Sequence, residues 1–184
     1  MSDKTLILNN EQIVQKINRM AYQIFEDNHT EQEIIVVGIA KKGYLFAEKL
    51  VEQLNKISDI KITLARLRIK KDSPIQNEAN LDIDTDLLND KVVILVDDVL
   101  NTGKALIYGV KYLLDFPIKK MSTAILVDRN HKKYPIGTHY VGLSLSTTLQ
   151  NHITMPSTCL ALVDLIPSIF ASKASVDLIR PMRA

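Results

Sequence analysis

Two carboxylates stand side by side at Asp97 and Asp98, directly behind the apolar run VVILV, and Asn101-Thr102-Gly103 follows shortly after. Adjacent carboxylates at the end of a buried strand repel each other, and desolvation raises that cost. A helix N-terminus, a cation or the hydroxyl groups of a ligand would offset it. An acidic capping turn accounts for one aspartate more comfortably than for two. In the turn that follows, Gly103 permits a positive φ or a close backbone approach, and Thr102 offers a hydroxyl beside the unpaired N–H groups of a starting helix. Such a turn can cradle a phosphate. Amides for a phosphate and carboxylates for sugar hydroxyls together suit a ribose phosphate. Neither GxxxxGK[ST] nor GxGxxG occurs in the chain.

A second candidate cradle is Ala40-Lys41-Lys42-Gly43, which follows the apolar run IIVVGI. Its two ammonium groups suit a diphosphate if the loop lies beside the aspartates, although exposed lysines are most often solvated surface. Further basic residues cluster at Arg66, Arg68, Lys70 and Lys71, and again at Lys119, Lys120, Arg129, Lys132 and Lys133.

These segments need a scaffold, and hydrophobic periodicity supplies one. Asn9 and Gln12 have capping-box spacing, and Ile13, Ile17, Ala21 and Ile24 recur at near-helical intervals, so a helix is expected over 11–27. Continuous apolar runs at 34–39, 92–98 and 122–128 read as strands buried on both faces. KITLARLRI at 61–69 alternates as a strand, and LDIDTDL at 81–87 reads as a short edge strand. KKDSPIQNEAN, 70–80, reads as a mobile loop. Helices are expected after Gly43, with Leu45, Leu50 and Leu54 facing inward, and over 104–115 before Phe116-Pro117. This order implies an α/β fold, a single domain with a central parallel sheet flanked by helices. Ligands of such sheets bind outside the carboxyl ends of the strands, where 40–43, 97–103 and the segment after Asp128 would converge.

Composition narrows the classes. The chain has 184 residues, 46% of them apolar, enough for one packed domain. Cys159 is the single cysteine, so no intrachain disulfide framework exists, and a reducing, cytoplasmic setting is expected. No apolar run has the length of a membrane span, and no secretion-signal layout begins the chain. The four histidines lack metal-ligand spacing with one another or with Cys159. A formal charge of +2 permits RNA binding without arguing for it, and aromatic interleaving of the base-stacking kind is lacking.

VVILVDDVLNTG resembles the phosphoribosyl-diphosphate (PRPP) binding motif of type I phosphoribosyltransferases. IIVVGIAKKGYLFAEKL is similar to the family's pyrophosphate loop and its helix, and AILVDRNHKKYPIGTHYVG to the segment after the fifth strand in the PyrR branch, which combines uracil phosphoribosyltransferase activity with pyrimidine-operon attenuation. The resemblance implies a domain over 1–154 with a small hood and a flexible loop, a C-terminal extension over 155–184, and a homodimer or higher homo-oligomer. It implies Mg2+-dependent transfer of ribose 5-phosphate from PRPP to a nucleobase, uracil first, with release of pyrophosphate. Asp97 and Asp98 would hold the ribose hydroxyls and bear on the metal, directly or through PRPP and water. Val99, Leu100, Asn101, Thr102 and Gly103 would hold the 5′-phosphate, and Ala40, Lys41, Lys42 and Gly43 the pyrophosphate. Asp128 and Arg129 would lie near the base, while Arg66 and Arg68 would begin a lid.

Three departures accompany the resemblance. Lys41-Lys42-Gly43 stands where the family usually has Thr-Arg-Gly, Ala65-Arg66-Leu67-Arg68 where the PyrR branch has Tyr-Arg-Asp-Asp, and Ser146-Thr147-Thr148 where a Pro-Thr-Ser segment is usual. Three alternatives stay open: a hypoxanthine or guanine phosphoribosyltransferase, a nucleotide-sensing RNA-binding regulator of pyrimidine genes, and a family member that binds a phosphorylated ribose without transferring it. Arg129, where purine enzymes typically carry lysine, favours the pyrimidine branch.

Overall fold

The computed structural model describes residues 9–69 and 79–145. Six strands form one sheet: β1 (Glu33–Ile39), β2 (Lys61–Ile69), β3 (Ala79–Leu81), β4 (Val92–Leu100), β5 (Lys120–Asp128) and β6 (Tyr140–Ser144), in the order β3-β2-β1-β4-β5-β6. All neighbours run parallel except the β2–β3 pair at one edge.

Helix α1 (Asn10–Asn28) starts on the expected capping box: Asn9 accepts from the Gln12 amide at 2.8 Å, and Gln12 accepts from the Asn9 amide at 2.9 Å. Its buried stripe of Ile13, Ile17, Met20, Ala21 and Ile24 lies in one core layer with Phe46, Ala47, Leu50 and Leu54 of α2 (Ala40–Ile57) and with Ile34, Val36, Ile94 and Val96 of the sheet. Leu45, expected inward, is only partly buried beside that layer. Ile35, Val37, Val93 and Leu95 point the other way and pack with Leu106 and Leu113 of α3 (Lys104–Leu113). Strands β1 and β4 therefore bury side chains on both faces, which is why each reads as an unbroken apolar run.

Two expectations need correction. The edge strand is Ala79–Leu81, and 85–88 forms a 3₁₀ turn instead of continuing it. Asp84 causes the change, because its side chain accepts the Asp86 amide at 3.1 Å and turns the chain away from the sheet. Strand β6 was not foreseen; it pairs with β5 and receives Arg19, whose guanidinium donates to the carbonyls of Val141 and Gly142 at 2.6 and 2.8 Å. The expected loop falls outside the described residues over 70–78, and its last two residues open β3. The Ser146-Thr147-Thr148 segment, Cys159 and the extension 155–184 also lie outside them.

Candidate active site

The sheet reverses its winding between β1 and β4. Helix α2 leads from β1 to β2 on one face, and α3 leads from β4 to β5 on the other, so the two strand ends diverge and leave a crevice. Strand β1 last pairs with β4 at Gly38–Val96, whereas β4 runs on beside β5 as far as Leu100–Asp128. Asp97 and Asp98 sit on that overhang, both half-buried, and Asp97 Oδ1 accepts the Asp98 amide at 3.0 Å.

The first candidate cradle reaches the aspartates through bare backbone. A Cβ placed on Gly43 would lie 2.9 Å from the Val96 carbonyl oxygen and 3.1 Å from Asp97 Oδ1, closer than a side chain can come without displacing the strand. Residues 40–43, read from the sequence as a turn opening into a helix, form the first turn of α2. Ala40 enters that turn at φ 53°, a left-handed conformation that costs a residue with a Cβ about 1–2 kcal/mol. No side chain caps the helix start at Ile39, so its first amides are open to an anion, flanked by an exposed Lys41 and a half-buried Lys42.

The second cradle is shorter than expected. Val99 and Leu100 are strand residues, and Leu100 is buried in the α3 layer; the turn itself is Asn101-Thr102-Gly103. Gly103 takes φ 83° at the start of α3 and has no side chain of its own to cap it. The segment after β5 folds over this turn. The Thr102 carbonyl accepts the amides of Lys133 and Tyr134 at 2.9 and 3.1 Å, and Ile136 presses so near Gly103 that a Cβ there would come within 2.7 Å of its methyl. The Thr102 hydroxyl accepts the Lys104 amide at 3.3 Å.

Asp128 and Arg129 do not open onto the crevice as free groups. Arg129, 7% exposed, donates from Nη1 to Asn101 Oδ1 at 2.7 Å and from its amide to the Leu100 carbonyl at 3.1 Å. Asp128, 5% exposed, pairs with Lys132 Nζ at 3.1 Å and accepts the Asn130 amide at 2.9 Å. Arg129 thereby braces the Asn101-Thr102-Gly103 turn, and Asp128 holds the segment that follows β5. Arg68 is exposed on β2, opposite Asn80 of β3. Arg66 stands level with Gly38 and lies over the Tyr44 ring, 4.0 Å from its centroid. Sequence reasoning missed Tyr44, although it directly follows the Gly43 that touches Asp97. Burial, with help from the nearby Glu48 carboxylate, holds the Tyr44 phenol above its ordinary range.

The described residues contain no group of three or more His, Cys, Asp or Glu able to hold a metal by themselves. Two carboxylates beside an anion site do fit Mg2+, which usually keeps several waters and binds through one or two carboxylates plus substrate phosphates. No helix among the described residues is long and apolar enough to cross a membrane.

Comparison with known proteins agrees with this geometry. The phosphoribosyl transferase domain matches residues 4–157. The bifunctional protein PyrR of Alkaliphilus metalliredigens is 34% identical over 158 residues, covering 80% of this chain and 85% of that protein. The PyrR of Bacillus subtilis is 33% identical over 160 residues, covering 80% and 87%. A crystal structure of a hypoxanthine-guanine phosphoribosyltransferase from Bacillus anthracis superposes with a TM-score of 0.68 at 23% identity, over 77% of this chain and 82% of that one. The hypoxanthine phosphoribosyltransferase of Trypanosoma cruzi gives 0.66 at 16% identity, over 77% and 82%. With its crevice at the β1–β4 reversal and its aspartate pair followed by the Thr-Gly turn, the chain belongs to the type I phosphoribosyltransferase family, enzymes of PRPP-dependent pentosyl transfer, and is similar in sequence to the bifunctional PyrR proteins.

Proposed function

We propose that this chain moves ribose 5-phosphate from PRPP to a nucleobase, uracil first, releasing pyrophosphate. The observation that carries the reading is the contact of Gly43 with Asp97 and Val96, which sets one open helix start directly against the carboxylate pair that leads into the other. Two anion cradles separated by two carboxylates match a sugar with phosphate at one end and diphosphate at the other.

In this reading the amides of 101–103 and the Thr102 hydroxyl hold the 5′-phosphate, and Asp97 and Asp98 accept from the ribose hydroxyls. The first turn of α2 and its two lysines receive the diphosphate. Breaking the bond from the anomeric carbon to the pyrophosphate oxygen leaves positive character on the ribose ring, and a ring nitrogen of the base forms the new bond as its proton leaves. The carboxylates orient the electron-poor sugar, and the lysines with the helix amides stabilise the charge arriving on the leaving group. Mg2+, held through Asp97 and Asp98 directly or by way of water, would supply neutralisation of the charge on the diphosphate. The chemistry asks for no protein nucleophile.

Sequence similarity to the PyrR proteins supports a pyrimidine base and leaves RNA-linked regulation as an added role. The solved purine enzymes, all below 25% identity, speak for the fold alone. The cytoplasm, with its reducing conditions and PRPP, is the matching setting for a chain with one cysteine.

Pyrophosphate release from PRPP and Mg2+ with uracil, hypoxanthine, guanine, adenine and orotate offered separately is the test. Turnover with uracil, reduced at least ~100-fold in an Asp97→Asn, Asp98→Asn double variant, is expected. Turnover with a purine alone would reassign the base. PRPP binding without turnover on any base would overturn transfer in favour of a sensor.

A further inference from the structure

We propose that Tyr44 is a positioning residue that holds Arg66 against the diphosphate end of the crevice. The proposal rests on the transferase reading for the place of the diphosphate and adds to it a residue that the sequence motifs do not mark.

Arg66 is bound to its surroundings by its backbone. Its amide donates to Asp82 Oδ1 at 2.6 Å, and its carbonyl accepts the Asp82 amide at 3.2 Å. Its Nε is buried and has no hydrogen-bond partner among the described residues. Without that bond, packing alone must set the direction of the guanidinium. The Tyr44 ring supplies that packing, because the guanidinium carbon lies 4.0 Å from the ring centroid, within cation–π range.

Tyr44 can serve as such a platform because its own backbone is fixed. A Cβ on Gly38 would run into the Tyr44 backbone, so helix and strand meet there without an intervening side chain. The residue before it, Gly43, is the one pressed on Asp97. Gly38 is also the residue level with Arg66 across the β1–β2 ladder. The ring, the arginine and the first turn of α2 thus pack as one cluster in which the guanidinium lies over the Tyr44 ring. The planar guanidinium stacks and still presents donors at its edge, which an ammonium cannot do. This gives the site a forked cation at the diphosphate end, although Lys41 and Lys42 are the charges on the loop itself.

The test is the equilibrium affinity for Mg2+-pyrophosphate of the full chain and of Tyr44→Phe, Tyr44→Leu, Arg66→Ala and the Tyr44→Leu, Arg66→Ala double variant, beside the KM for PRPP and for the base. Tyr44→Phe, which keeps the ring, is expected to match the parent protein. Tyr44→Leu is expected to bind pyrophosphate ~3- to 30-fold more weakly and to raise the KM for PRPP alike, with the KM for the base unmoved. The double variant is expected to be no worse than Arg66→Ala. Parent-like affinity in Tyr44→Leu, equal losses in every constant, or additive losses in the double variant would overturn the proposal. A parent protein that binds pyrophosphate but turns over no base would overturn the transferase reading alone, since the affinities would still decide the role of Tyr44.

Discussion

Gly43 packs against Asp97 and Val96 with no room for a methyl group, since a Cβ on Gly43 would lie 2.9 Å from the Val96 carbonyl oxygen and 3.1 Å from the Asp97 carboxylate. The neighbour on the first of these sides is backbone, which cannot swing aside. Gly43→Ala is therefore expected to push β4 and α2 apart at the site. Its stability should fall by about 1–3 kcal/mol in urea unfolding, and the KM for PRPP should rise more than the KM for the base. Unchanged PRPP kinetics in a folded Gly43→Ala protein would show that the contact is packing alone.

Arg129 makes a different prediction, since it reaches the site through Asn101 rather than through open space. Removing a buried charged donor at 2.7 Å is expected to cost about 1.5–3 kcal/mol. Arg129→Met should lower Tm and weaken PRPP binding with little discrimination among bases. Arg129→Lys should not restore the parent values, because an ammonium cannot reproduce the planar fork. A variant that instead changed base preference at constant PRPP affinity would return Arg129 to the base-reading role that the sequence resemblance implies.

Alkaline unfolding tests the far end of the sheet. The buried phenol of Tyr140 donates to Asp27 Oδ2 at 2.9 Å, and burial, followed by that bond, pushes it up to about 12. A phenol that ionises later in the folded protein than in the unfolded chain contributes stability that is fully present below about pH 10 and is lost as pH rises through about 12. Tyr140→Phe should cost about 1 kcal/mol at neutral pH. The gap between the two proteins, followed by denaturant unfolding from pH 8 upward, is expected to narrow above about pH 10. A constant gap would mean that the hydroxyl ionises normally.

The parts of this structure that sequence disclosed are those governed by neighbours along the chain. The Asn9–Gln12 box places the start of α1 within a residue, and the alternation of KITLARLRI gives β2 its observed bounds. The apolar runs disclose β1 and β4 because both faces of each strand are covered. What stayed hidden depends on contacts distant in sequence. Arg66 and Tyr44, or Arg129 and Asn101, have no spacing signal that links them, since the sheet order alone brings them together. Strand β6 is short and carries a glycine, and its place is fixed by β5 and Arg19. The burial of Leu100 comes from packing with α3, which no local signal in VLNTG marks.

The overhang of β4 past β1 also bears on solubility. From Asp97 to Leu100, an interior strand has β5 as its only strand partner among the described residues and is, over that interval, an edge. Open edges invite pairing with foreign strands, and natural proteins blunt them with charge and brevity. Here the open interval is four residues long and begins with two carboxylates. The two charges are therefore also gatekeepers, and replacing both with apolar residues would turn this interval into a template for aggregation.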